Sequence, residues 1–281
     1  MEEVEVTGFE SDGIDLISPL SPEFDSRADA LSPPEMSDIA KDAKPYVVIV
    51  SNKTSRNIVA FSMALSNFEG KAMPNPLFYS YPSAAIEHQI FMAPDAVGAT
   101  GLDFGFRSEV GIPPGGQRLI GLGFSILTMR PKFEPKPGVA DWDDDRMWNW
   151  VVSTTREFVA RIKSQGRGIT GIRIKLDAVI FDNGLLIGPD TNDQLSSHLE
   201  GAVKARQDLY RMFVDSLDRG ALIDELFPEP EEAANDLSDI FGFRLGAIAT
   251  VNDLRRRNGD DKIRQVLQQA ILKEPFVIHR K

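Results

Sequence analysis

Two groups of carboxylates are the first places to look for chemistry in this 281-residue chain. Asp182 stands at the end of the apolar run Ala178-Val179-Ile180-Phe181. A carboxylate at the end of a buried strand can act as a nucleophile when neighbouring groups help it hold a metal ion. The residue two positions after Asp182 is Gly184, which has no side chain to offer. The second group is Asp141-Trp142-Asp143-Asp144-Asp145, four acids in five positions. A calcium loop spaces its ligands alternately, bends at a glycine and closes with a late bidentate Glu. This run contains no glycine and lacks that spacing, so its acids are expected to favour the positive end of a helix that starts there. Trp142, Trp148 and Trp150 lie beside these acids. Flat rings of this kind either stack on sugars or fill the space between a helix and a sheet. Trp142, Asp143, Asp144, Asp145 and Trp148 therefore form the one candidate ligand surface in the sequence.

The run Ala178–Asp182 resembles the first motif of haloacid-dehalogenase-type phosphatases, in which the nucleophile is followed by x-Asp-Gly-Thr or x-Gly-Gly-Val. Here Asn183, Gly184 and Leu185 follow instead. That family also opens its parallel sheet with this strand, whereas the residues beyond Asp182 read as helices. A hairpin turn at Asp182–Gly184 explains the same letters. The three histidines, His88, His198 and His279, carry no ligand spacing. No Gly-x-Ser-x-Gly elbow is present, and Gly115-Gly116 is not followed by the Lys-Ser/Thr of a phosphate loop. Cysteine is absent, which excludes disulfides, zinc thiolates and a thiol nucleophile. The sequence assigns no catalytic residue, no metal ligand and no cofactor.

The elements that would position any site are clearest around residue 176. Ile172, Ile174, Leu176, Ala178 and Ile180 alternate with Arg173, Lys175 and Asp177, the pattern of a strand with one buried face. Asp182-Asn183-Gly184 turns the chain, and Leu185–Ile187 returns. Further strands are predicted at Tyr46–Val50, Asn57–Leu65, Phe78–Tyr81 and Ile86–Met92. Ser108–Ile112 and Arg118–Leu127 form another pair around Pro113-Pro114-Gly115-Gly116. Trp148, Val151, Val152, Thr155, Phe158, Val159 and Ile162 share a helical face that Gly166 and Gly168 terminate. Leu195, Leu199, Val203, Leu209, Phe213 and Leu217 mark a second helix, ended by Gly220. Ala221–Phe227, Ala233–Phe243, Leu245–Arg257 and Asp261–Leu272 read as further helices.

Charge divides the chain unevenly. The net charge is −11, and residues 1–44 alone hold twelve acids against Arg27, Lys41 and Lys44. Rich also in Ser and Pro, this part reads as a disordered acidic arm. Ile14, Leu16, Ile17 and Leu20 are its only basis for a docking segment, and Arg255-Arg256-Arg257 is a basic run that the arm could meet in cis. The acidic balance, without a basic stripe, argues against a nucleic-acid partner. No run of about 20 apolar residues marks a transmembrane segment. No signal peptide is visible, so the expected compartment is the cytoplasm, or outside the cell if a targeting segment precedes the given sequence.

Together these readings predict an α+β chain. It comprises a disordered acidic arm (1–44), an antiparallel Ig-like β-sandwich (45–190) with an inserted helix near 145–165, and a helical C-terminal segment (191–281). Val47–Ser51, Asn57–Ser62 and the Ile-Pro-Pro-Gly-Gly turn at 112–116 resemble Ig-like modules of bacterial envelope proteins. The stretch LDAVIFDNGLLIGPD (176–190), with the helix over Leu199–Leu209, resembles uncharacterised bacterial proteins, a likeness that implies no activity and transfers no site residue. The expected function is a non-enzymatic interaction or structural module with a protein partner. The alternative is a carbohydrate-binding protein or hydrolase built on Asp141–Asp145 and Trp142, Trp148 and Trp150.

Overall fold

The computed structural model describes residues 3–8, 13–44, 46–67, 77–80, 111–121, 144–165, 171–221, 255, 259–272 and 277–280. Its first elements are β1 (Glu3–Thr7), β2 (Ile14–Ile17), α1 (Phe24–Leu31), α2 (Pro34–Asp42), β3 (Val47–Asn52), β4 (Ile58–Asn67), β5 (Leu77–Ser80) and β6 (Gln117–Gly121). Then come α3 (Asp144–Gln165), β7 (Gly171–Phe181), β8 (Leu185–Ile187), a 3-10 turn (Thr191–Asp193), α4 (Gln194–Asp218), α5 (Asp260–Leu272) and β9 (His279–Arg280). These residues form two compact units, the first ending at Thr191 and the second running from Asn192 to Arg280.

β7 organises the first unit. One of its edges pairs antiparallel with β4 along nearly its whole length, and β5 extends the sheet beyond β4. The other edge is shared by two shorter strands. β1 runs parallel to β7 from Glu3 opposite Gly171 to Thr7 opposite Lys175, and β8 returns antiparallel beside Val179 and Ile180. The predicted one-sided alternation holds only for the first half of β7, where Arg173 and Lys175 are exposed between buried neighbours. From Leu176 to Phe181 every side chain is buried, Asp177 included. The continuous apolar run after Asp177 thus reflects burial on both faces.

A smaller antiparallel sheet has the order β2-β3-β6. β3 lies in its middle, with Ile49 between Ile17 and Leu119, and all six of its residues are buried. Asn52, at the end of β3, is fully buried, and its side chain makes four hydrogen bonds. The amide nitrogen donates to the carbonyls of Arg56 and Ile112, both at 2.7 Å, and the amide oxygen accepts from the Thr54 backbone at 3.0 Å and its hydroxyl at 2.6 Å. Two donors and two acceptor sites are all that an Asn side chain has, so none is left unsatisfied. The backbone of Asn52 is bonded in both directions to the turn at Gly115 and Gly116. Gly111 enters that turn at φ +83, and a Cβ there would lie 1.8 Å from the carbonyl oxygen of Ile58. Only glycine fits so close a backbone approach.

The expectation of an antiparallel Ig-like β-sandwich with a disordered acidic arm is overturned. The fold is mixed α/β: β1 is parallel to β7, and two sheets of unequal size stand where a pair of antiparallel sheets was predicted. The amino-terminal residues expected to be disordered supply β1, β2, α1 and α2. Phe24, Ala28, Met36, Ile39 and Ala40 bury the apolar sides of α1 and α2, a spacing too short and too interrupted by acids to stand out in the sequence. The acids face outward and meet cations: Asp29 with Lys41, Asp25 with Lys44 at 2.6 Å, and Asp15 with Lys53. The Lys41 ammonium, followed by the buried Ser37 hydroxyl at 2.5 Å, holds the Asp29 carboxyl below its ordinary range, and Asp29 in turn raises Lys41.

In the second unit, α4 buries Leu195, Leu199, Leu209, Tyr210, Phe213 and Leu217 along one side and packs on α5 through Ile263 and Leu267. Gly220, at φ +82, ends α4 as predicted: its amide donates to Leu217 and that of Ala221 to Ser216, the paired bonds of a Schellman cap. Arg264 of α5 closes the same end, reaching Asp218 at 3.1 Å and the Leu217 carbonyl at 3.2 Å. The predicted strand Ile86–Met92 and the helices Ala221–Phe227, Ala233–Phe243 and Leu245–Arg257 fall wholly or almost wholly outside the described residues. No helix among the described residues is long and apolar enough to cross a membrane.

Asn52 yields a sharp test of this packing. Asn52→Asp puts a carboxylate against two carbonyl oxygens that had been receiving hydrogen bonds. It is expected to cost about 3–5 kcal/mol in urea unfolding, and Asn52→Ala less, about 2–3 kcal/mol. Equal costs would mean that the donor side of the amide is not what matters.

Candidate functional site

Of the candidate ligand surface, the structure describes Asp145 as exposed and Trp148 as buried. Trp142 and Asp143 lie outside the described residues, and Asp144 is the first residue of α3. Asp145 is exposed on the first turn, where a carboxylate complements the helix dipole. Trp148 is only 3% exposed and belongs to the buried stripe of α3 with Val152 and Val159. Trp150 is 62% exposed. Two residues along a helix amount to a rotation of roughly 200°, so the two indoles leave α3 on opposite sides and cannot share one platform. Asp182, the nucleophile of the rejected phosphatase reading, is half-buried beside the start of β4. Its amide donates to the Asn57 carbonyl at 3.0 Å and its carboxylate accepts from the Asn57 amide at 3.4 Å, which ties the end of β7 to the start of β4. His198 is partly exposed on α4, His279 is exposed in β9, and His88 lies outside the described residues.

A different group of polar residues is the most constrained that the structure shows. It begins at Asp177, 7% exposed in the doubly buried half of β7. On that edge of β7, β1 pairs as far as Lys175 and β8 begins at Val179, so Asp177 sits between the two partners. Its carboxylate accepts two hydrogen bonds from Thr191, one from the amide at 2.7 Å and one from the hydroxyl at 2.6 Å. The chain reaches that position through Gly188 at φ +108 and through Asp190, 1% exposed at φ 44. Asn192 and Asp193 follow at φ 61 and 54. Three non-glycine residues in the left-handed region within four positions cost energy that the surrounding bonds must offset, and such clusters mark segments whose path is over-determined. Asp193 is additionally paired with Arg280.

The chemistry open to this group is limited by its bonding. Both oxygens of Asp177 are already engaged by Thr191, which suits a carboxylate that fixes a chain segment better than one that accepts a proton from a substrate. Among the described residues, no three His, Cys, Asp or Glu side chains are placed to hold a metal ion. The sequence carried one clue to Asp177: an acid immediately before four consecutive apolar residues sits on a face that is itself about to be buried. Asn52 had a signal too, since Asn-x-Thr after an apolar run is a side-chain turn. No protein-family model, curated protein or solved structure matches the chain.

The Asp177–Thr191 pair is expected to behave as a coupled unit. Thr191→Val and Asp177→Asn should each destabilise the protein, and a double-mutant cycle should return a coupling energy of about 1–2 kcal/mol. Additivity within about 0.3 kcal/mol would show that the contact carries no weight.

Proposed function

We propose that this protein is a non-enzymatic interaction module and that the outer side of α3 around Trp150 contacts its protein partner. The supporting observation is the contrast within one helix turn. Trp148 is packed away at 3% exposure, while Trp150 stands 62% exposed, and tryptophan is among the side chains enriched in protein-binding hot spots. Thr154, Glu157 and Arg161 share the Trp150 side of α3 and are exposed. An aromatic anchor ringed by polar residues is the usual composition of a protein-binding hot spot, in which Trp and Arg are enriched. The polar committed groups fit the same reading. Asn52 and Asp177 spend their hydrogen-bonding capacity on backbone and hydroxyl groups of the protein's own chain and hold the scaffold on which such a face would be presented.

The test compares the full chain with Trp150→Ser as baits in the native host. At least one protein retained stoichiometrically by the wild type should fall by about tenfold or more with Trp150→Ser, with the melting temperature unchanged. Identical retention by both baits contradicts the proposal. A shift of tryptophan emission on titration with a sugar panel, lost in Trp150→Ser, would favour carbohydrate binding instead.

A further inference from the structure

β1 is held in the larger sheet in an unusual way. It runs parallel to its neighbour, it lies at the amino terminus, and among the described strands it pairs with β7 alone. Its sequence, Glu-Val-Glu-Val-Thr, alternates acids with β-branched residues. The β7 segment opposite it reads Gly-Ile-Arg-Ile-Lys. In register, Val4 meets Ile172, Val6 meets Ile174, and Glu5 meets Arg173, with a carboxylate–guanidinium contact of 2.6 Å. Glu5 and Arg173 are each 44% exposed, so the pair lies on the open face of the sheet, midway along the β1–β7 register. Val4 and Val6 are only half-buried, in contrast to Ile172 and Ile174 opposite them, which are fully buried. The half of β7 that β1 covers with five residues is thus buried on one face, through Ile172 and Ile174, and exposed on the other at Arg173 and Lys175. Gly8, directly after β1, is exposed, and a Cβ built on it would touch nothing within 4 Å.

We propose that the edge of β7 over Gly171–Lys175 is a strand-acceptor site, and that β1 of a second copy of this chain fits it as β1 does in cis. Exchange of β1 between two copies is reciprocal. Each β7 edge is covered by the other copy's Glu3–Thr7 in the same parallel register, and each Glu5 meets the other copy's Arg173. The β1–β7 pairing and the Glu5–Arg173 ion pair are reproduced in both states, which differ in the connectivity of β1. The linker keeps the cis strand at high effective concentration, which makes the monomer the dilute form and the exchanged dimer the concentrated one. The complementary charges specify the strand that is accepted: an extended segment alternating acids with β-branched residues, entering parallel to β7.

Charge reversal separates exchange from any other association. Glu5→Lys sets two cations against each other in cis, and Arg173→Glu sets two carboxylates against each other. Mixed together, the two full-length variants can restore opposite charges at both β7 edges. At one edge, the unaltered Glu5 of the Arg173→Glu chain meets the unaltered Arg173 of the Glu5→Lys chain. At the other, the introduced lysine meets the introduced glutamate. Native mass spectrometry of the mixture at about 0.1–1 mM should show the heterodimer in at least about tenfold excess over either homodimer. The wild type and the variant carrying both substitutions should not show this preference. A mixture that stays monomeric, or single variants that dimerise alone as readily as together, overturns the proposal. A readout that needs no altered chain is a labelled peptide of residues 1–8 added in excess to the wild type. Its anisotropy should rise with the full chain, and the same peptide with Glu5→Lys should bind about tenfold more weakly. Equal binding of both peptides, or binding of neither, also overturns it.

Discussion

A strand buried on both faces must have its amides and carbonyls paired on both edges, because water cannot reach the ones left over. β7 imposes that constraint on the first unit. β4 meets it on one side with a long antiparallel ladder, interrupted by two irregularities near Ile58 and Ser62. On the other side no single strand does. β1 covers the first part and β8 the last, and the span between them holds Asp177 with both of its oxygens bonded to Thr191. Between those two strands, Thr191 is fastened to the Asp177 side chain, on the left-handed path that follows β8.

The smaller sheet meets an equivalent demand with an amide. β3 is buried at every residue, and where it ends the chain has to turn without stranding backbone groups. Asn52 resolves this by bonding Arg56, Ile112 and Thr54 through one side chain, and by receiving the Gly115–Gly116 turn on its own backbone. Asn52 and Asp177 thus fasten one chain segment to another.

Local pattern made some of this legible. The alternation from Ile172, the Asp182-Asn183-Gly184 turn, the helical stripes beginning at Trp148 and Leu195, and the stop at Gly220 are all short-range signals, and the elements form where those signals lie. The overall architecture was not legible, for two physical reasons. Pairing between β1 and β7 joins residues more than 160 positions apart, as in Arg173 with Glu5 at |i−j| of 168, and nothing local announces a parallel partner. The acid-rich amino terminus reads as disordered because composition weighs each charge alone, whereas in the fold Asp15, Asp25 and Asp29 each face a lysine while Phe24, Met36 and Ile39 turn inward. Within the candidate surface at Asp143, Asp144, Asp145, Trp142 and Trp148, the burial of Trp148 was not legible for a related reason. A tryptophan at helical spacing with Val152 and Val159 is core first.

Amide hydrogen exchange on the intact chain tests most directly the claim that β7 is the strand on which the first unit depends. The amides of Gly171–Phe181 that bond to β4, β1 and β8 should exchange slowest in that unit, opening only with global unfolding and with a single free energy along the strand. Exchange in β7 as fast as in α1 or α2, or a break in protection between Lys175 and Val179, would contradict the account.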